Sequence, residues 1–224
     1  KNPSEVIYID GEMQKRELQD RIKLINKSGK LVSQNLKILT PDLQQQIMPD
    51  LSILTNQNQI EKLFSNQTKL IVIDSLSTLM RSGDENDNRH WVPIQEWLLR
   101  LRSAGKSVLL IHHAGKSGTQ RGTSKREDVL DTVIELKEKK NHLNTDSTYL
   151  EIHFKKARSL YGDQIKPYEA KLDTIDGRYS WTFKTLKSRT QTQVIELKAA
   201  GMTPKEISNE LDVSLSIVYR HLRD

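Results

Sequence analysis

"KLIVIDSLSTL" spans residues 69–79 and decides how the rest of the chain is read. Leu70, Ile71, Val72 and Ile73 run on without a polar interruption, as in a strand buried on both faces of a parallel sheet covered by helices. Asp74 ends the run, and Ser75, Ser77 and Thr78 follow. A carboxylate fixed at the end of a rigid strand and followed by hydroxyls can hold a water-bound Mg²⁺ ion beside a nucleotide. Taken alone, it equally suits a cap on the turn after any strand.

The same pattern recurs on both sides. "EVIYID" (5–10) reads as a buried strand, and "MQKRELQDRIKLINKSGK" (13–30) places Leu18, Ile22 and Ile25 at helical spacing before a stop at Ser28-Gly29. "NLKIL" (35–39) predicts a short strand, Pro41 and Pro49 mark a loop, and "NQIEKLF" (58–64) predicts a helix. "SGDENDN" (82–88) offers N-cap residues for a helix with Trp91, Ile94, Leu98 and Leu101 on one face and Gly105 at its end. "SVLLIHH" (107–113) predicts a further buried strand. Alternating strands and helices predict a parallel α/β sheet with ligands at the carboxyl ends of its strands, where Asp10, Asp74 and His112 fall.

From about residue 131 the period changes. "DTVIELKEKK" (131–140), "TYLEIHFKK" (148–156), "KPYEAKLD" (166–173) and "RYSWTFK" (178–184) have period-two character and predict added antiparallel strands. Beyond a polar segment at 185–192, "QTQVIELKAAG", "TPKEISNELDV" and "SLSIVYRHLRD" predict three short helices, with Thr203-Pro204 as cap and first turn of the second. The expected organisation is a core over residues 1–184 and a tri-helical module over 185–224.

The chain of 224 residues carries a formal charge of +6, which suits a nucleic-acid partner without requiring one. It has no cysteine, which excludes a disulfide framework and cysteine-based zinc sites. It shows neither a signal peptide nor a run of about 18 apolar residues, so a cytoplasmic protein with no membrane partner is expected.

Several residues can carry chemistry. Glu12 follows the first strand across Gly11, where a carboxylate can orient or deprotonate a water attacking a γ-phosphate; a solvent-facing turn is the plainer alternative. His112 and His113 point to opposite faces and are poorly placed to share one metal ion. "AGKSGTQRGTSKRED" (114–128) has the composition of a phosphate or nucleic-acid contact, or of a solvated loop. Lys156 and Arg158 flank one residue at a strand end and can serve a neighbouring subunit's triphosphate, or protect an edge strand against aggregation.

Taken in order, "VIYIDGEM", "KLIVIDSLSTLMRSGDENDN", "VLLIHHAGK" and "KKARSLYGD" resemble the core of RecA-like ATPases of the plasmid RepA type, relatives of the DnaB-type hexameric replicative helicases. The resemblance covers roughly residues 5–175. It implies ATP and Mg²⁺ as cofactors, with Glu12 as the catalytic glutamate and Asp74 as the Walker B aspartate. It also implies one of the two histidines, with His112 favoured, as γ-phosphate sensor, and Lys156 and Arg158 as the lysine and arginine finger given to the adjacent subunit. Asp74, Ser75 and Arg121, the last in an "RG(S/T)" loop, would lie at the nucleotide. One departure is large: the phosphate-loop pattern G-x-x-x-x-G-K-[ST] occurs nowhere. The chain therefore reads as a RecA-like fold entered at its second strand. Either an upstream segment supplies the loop, which the downstream pattern favours, or the protein is a natural remnant that does not cradle phosphates unaided; if that central strand is absent, the neighbouring strands are expected to lose their ladder partner.

"GMTPKEISNELDVSLSIVYRHLR" (201–223) resembles the helix-turn-helix of site-specific recombinases and response regulators. That geometry would set the helix from Ser214 in a major groove, with Ser214, Ser216, Tyr219 and Arg220 as DNA contacts. Residues 188–224 hold five Lys/Arg and five Asp/Glu, which leaves little general phosphate attraction and keeps a protein-docking module as the alternative. The expectation is a ring-forming, hexameric ATP-dependent DNA helicase or DNA-translocating ATPase of plasmid, phage or mobile-element replication. The alternatives are a helix-turn-helix regulator on an ATPase-like platform, and a loader or partitioning ATPase.

Overall fold

A computed structural model describes residues 4–29, 34–45, 47–82, 88–113, 124–139, 147–186 and 189–223. The chain divides into two compact units, residues 1–133 with 173–180 and residues 134–172 with 181–224.

In the first unit, four strands form a parallel sheet: β1 (Glu5–Asp10), β2 (Leu36–Leu39), β3 (Thr68–Asp74) and β4 (Ser107–Leu110), in the spatial order β2-β1-β3-β4. Helix α1 (Lys15–Lys27) connects β1 to β2, α2 (Leu54–Glu61) precedes β3, and the single turn α3 (Leu76–Leu79) follows it; α4 (Asn88–Ser103) connects to β4. The predicted α/β class is the one found. β3 is paired on both sides, to β1 with Tyr8 opposite Val72 and to β4 with Ile73 opposite Leu110. β3 and β4 hydrogen-bond directly, and on its other side β4 has no strand partner among the described residues.

The β-branched residues make this sheet. Ile7, Ile9, Ile71 and Ile73 alternate onto one face and are almost fully buried, together with Trp91, Ile94, Trp97 and Leu101 of α4. Each such side chain contributes about 1.5–3 kcal/mol relative to exposure. The periodic face predicted for α4 is the buried one, and Gly105, at φ +72°, closes the helix where a residue with a Cβ would be strained. Pro93 lies inside α4, and its carbonyl accepts a hydrogen bond from the buried amide of Gln57 at 3.2 Å. The N-cap expected from residues 83–87 lies outside the described residues. β4 departs from the expected buried strand: it is the edge of its sheet, and Leu109 is half exposed.

The second sheet has the order β5-β6-β7-β8, with β5 (Thr132–Glu138), β6 (Ser147–Ala157), β7 (Tyr168–Ile175) and β8 (Arg178–Thr185). It is the antiparallel addition predicted from the change of period. Helices α5 (Arg189–Ala199), α6 (Pro204–Glu210) and α7 (Leu215–Arg223) follow, around a small core of Val194, Ile207 and Val218. Thr203 caps α6 reciprocally: its Oγ1 accepts from the Glu206 amide at 3.3 Å, and the Glu206 carboxylate accepts from the Thr203 amide at 2.7 Å. Among the described residues, no helix is long and apolar enough to cross a membrane.

Candidate functional site

The chain passes from β1 to β2 on one side of the sheet and returns to β3 on the other side of β1. That reversal opens a crevice at the carboxyl ends of β1 and β3, the place where open α/β sheets bind ligands. Asp10 and Asp74, directly opposite each other in register, end the two strands there.

Asp10 builds the first turn. Its buried Oδ1 accepts hydrogen bonds from the amides of Glu12 and Met13, both at 3.0 Å, which turns the backbone sharply and carries Glu12 out to the rim. Gly11 makes the turn possible by lying against α3. Its amide donates to the Asp74 carbonyl at 2.6 Å, and a Cβ there would stand 2.3 Å from Thr78 Oγ1 and 2.9 Å from Leu79 Cγ. The requirement is therefore room for the Thr78 and Leu79 side chains against the Gly11 backbone.

Glu12 meets the β3 turn. Its Oε1 accepts from the Ser75 hydroxyl at 2.6 Å, and Ser75 Oγ lies 2.9 Å from Ser77 Oγ and 3.3 Å from Thr78 Oγ1. Thr78 in turn donates to the Ser75 carbonyl at 3.0 Å, which holds the hydroxyl cluster together. Of the two histidines, the structure brings His113 to this carboxylate, with Nε2 3.4 Å from Glu12 Oε1. His112 is half-buried, just past the end of β4, and Ile111 between them and the strand donates to the Ile73 carbonyl.

Asp74 is held from the other side. The Tyr8 hydroxyl donates to its Oδ2, and burial followed by that carboxylate pushes the Tyr8 phenol well above its ordinary range. Tyr8 is therefore a fixed donor at any pH the protein meets. The donor set fits a hydrated Mg²⁺. Asp10 Oδ2 is buried without a hydrogen-bond partner, Asp74 lies opposite it, and Ser75 adds a hydroxyl. Among the described residues no three His, Asp or Glu converge as a closed metal cage. Such a set suits an ion held through waters and phosphate oxygens, and Asp74 and Ser75 are the residues that would hold it.

The remaining expected residues lie elsewhere. Lys156 and Arg158 stand at and just beyond the end of β6, in the second unit. Ser214, Ser216, Tyr219 and Arg220 are all exposed on and just before α7, with Ser214 Oγ and Ser216 Oγ 2.8 Å apart. Arg121 lies outside the described residues. The sequence places Asp10 at a strand end without giving it a role, and it gives no signal for Tyr8. The strand-end position of Asp10 was its only signal.

A parallel sheet whose switch point gathers carboxylates and hydroxyls defines a nucleotide-binding α/β domain of ATPase type. Residues 1–119 match the family model described as an AAA domain. The chain belongs to that family, one of RecA-like P-loop ATPases. A search of curated proteins gave no match.

Proposed function

We propose that the protein is an ATP-dependent DNA helicase or DNA-translocating ATPase of plasmid, phage or mobile-element replication, working in the cytoplasm as a hexameric ring. The observation that carries the reading is the meeting of Glu12 with Ser75 beside Asp74 at the switch point of an AAA-family sheet. Bound ATP·Mg²⁺ would supply the activated γ-phosphoryl group.

The residues of this chain then have distinct tasks. Glu12 orients the attacking water and takes its proton, with the Ser75 hydroxyl and the His113 ring holding the carboxylate in place. Asp74 and Ser75 face the hydrated ion, and Tyr8 fixes the rotamer of Asp74. His112 senses the γ-phosphate, and Arg121 contacts nucleotide or DNA from its loop. Lys156 and Arg158 reach the triphosphate of the adjacent subunit, where arginine stabilises the charge that develops in transfer. The excess of basic residues supports a DNA partner.

Strand displacement on a forked duplex tests this reading in the full-length protein, with any upstream segment in place. ATP-dependent unwinding that Lys156→Ala and Arg158→Ala abolish is the expected result. DNA-stimulated hydrolysis without unwinding would replace the helicase with a loader.

One observation favours a second reading, a helix-turn-helix regulator that uses the ATPase-like unit for oligomerisation or nucleotide switching. Ser214, Ser216, Tyr219 and Arg220 are presented together to solvent, behind a well-capped α6. Sequence-specific duplex binding that survives Glu12→Gln, with no DNA-stimulated hydrolysis, would establish it.

A further inference from the structure

Trp181, Phe183 and Tyr168 sit together on the second sheet and have no part in the site above. β8 places Trp181 and Phe183 on one face, where they are 40% and 65% exposed. Their rings are nearly parallel, at 8°, with centroids 6.1 Å apart, and Tyr168 on the neighbouring β7 meets the Phe183 ring edge-on at 6.0 Å. A hollow of about 450 Å³ opens here, with Tyr168 and Phe183 as its aromatic wall and Lys166 and Lys184 at its margin. Asp163, also at the margin, is paired with Lys166 at 2.7 Å.

Exposed rings cost a protein solubility without adding to its core, and two on one strand face mark a contact surface. The charge along this stretch of the sequence selects the partner. From Gly177 through Ile195 the sequence carries four cations, Arg178, Lys184, Lys187 and Arg189, and no Asp or Glu. Aromatic residues alternate with polar ones over Tyr179, Trp181 and Phe183, so the apolar area is confined to ring faces. Flat rings flanked by cations match stacked bases on a phosphate backbone, since every base offers a π-face and every linkage a negative charge.

We propose that this face of β7 and β8 is a stacking surface for single-stranded nucleic acid, centred on Trp181 and Phe183. It is separate from α7. It takes its choice of ligand from the DNA reading above, but it does not depend on the motor.

The test is equilibrium binding of fluorescein-labelled oligothymidine to the full-length protein without nucleotide, read by anisotropy. Trp91 and Trp97 are buried, so quenching of tryptophan fluorescence by unlabelled oligothymidine reports on Trp181. Phe183→Ala and Trp181→Leu should each weaken binding about tenfold, while Trp181→Phe and Phe183→Tyr, which keep a ring, should restore most of it. Thermal unfolding and sedimentation should be unchanged in all four. Equal affinity across the series, no binding by the wild type, or a change of oligomeric state would overturn the proposal. The last outcome would mean that a second copy of the chain covers the face. Binding carried by the rings in a protein that does not hydrolyse ATP would leave the proposal standing while the motor falls.

Discussion

The two sheets of this protein use the same kind of residue to opposite ends. In β1 and β3, Ile7, Ile9, Ile71 and Ile73 disappear into a core under α4, and Glu5, Asp10 and Thr68 at the strand ends are buried as well. Across β5 to β8, Ala170 is the only buried residue among those described, while Ile134, Leu136, Trp181 and Phe183 remain exposed. The first sheet is a scaffold whose chemistry sits at its carboxyl edge, and the second offers its faces. Function in the first should therefore depend on placement, and function in the second on which side chains are displayed.

This contrast can be broken by mutation. The largest effect is expected from Trp97→Ala, which empties a fully buried site and should cost about 3–5 kcal/mol in denaturant unfolding. A loss below about 1 kcal/mol would mean that the parallel sheet is not the scaffold. Gly11→Ala comes next. The new methyl must displace Thr78 or Leu79, at about 1–3 kcal/mol, and the movement should also reduce hydrolysis by carrying Glu12 away from Ser75. Wild-type stability and turnover in that variant would show that the close approach of the two turns is not needed.

A smaller effect concerns pH. Glu5, at the amino end of β1, is held down to about 2 by its ion pair with Lys37 at 2.6 Å, helped by the hydroxyls of Thr68 and Ser65. A depressed carboxylate stabilises the fold above its unfolded value, near 4.5, and that contribution is lost as pH falls through about 2. Glu5→Gln should therefore flatten the decline of stability between those values and matter least at the acid end. An unaltered acid limb would remove the ion pair from the account. Smallest of all is Leu136→Ala in the second sheet, expected to shift stability by no more than about 0.5 kcal/mol because the side chain is already in water. A large loss there would mean that the face is covered.

How much of this was legible in the sequence depended on how local the cause was. The strands at 5–10 and 68–74, the buried face of α4, the change of period near residue 131 and the Thr203-Pro204 cap are set by neighbouring residues, and all were readable. The pairing of Glu12 with Ser75 was not. The two lie 63 residues apart, and only the order β2-β1-β3-β4 brings their turns together. Sequence alternation says that His112 and His113 diverge, but not that His113 is the one facing Glu12. The Cβ-free contact at Gly11 and the Tyr8–Asp74 hydrogen bond likewise depend on register across strands. The hydrogen bond from the Tyr179 amide to Ser28 Oγ, at 2.6 Å, joins residues still farther apart in the chain and was no more readable.

Hydrolysis should depend on the carboxylate brought to Ser75 at the switch point. Steady-state ATP turnover by the full-length protein, with and without single-stranded DNA, tests it directly in wild type and Glu12→Gln. The expected result is turnover that DNA stimulates and that Glu12→Gln lowers by about 10²–10⁴-fold while nucleotide binding is retained. Turnover within a few-fold of wild type in Glu12→Gln would contradict it.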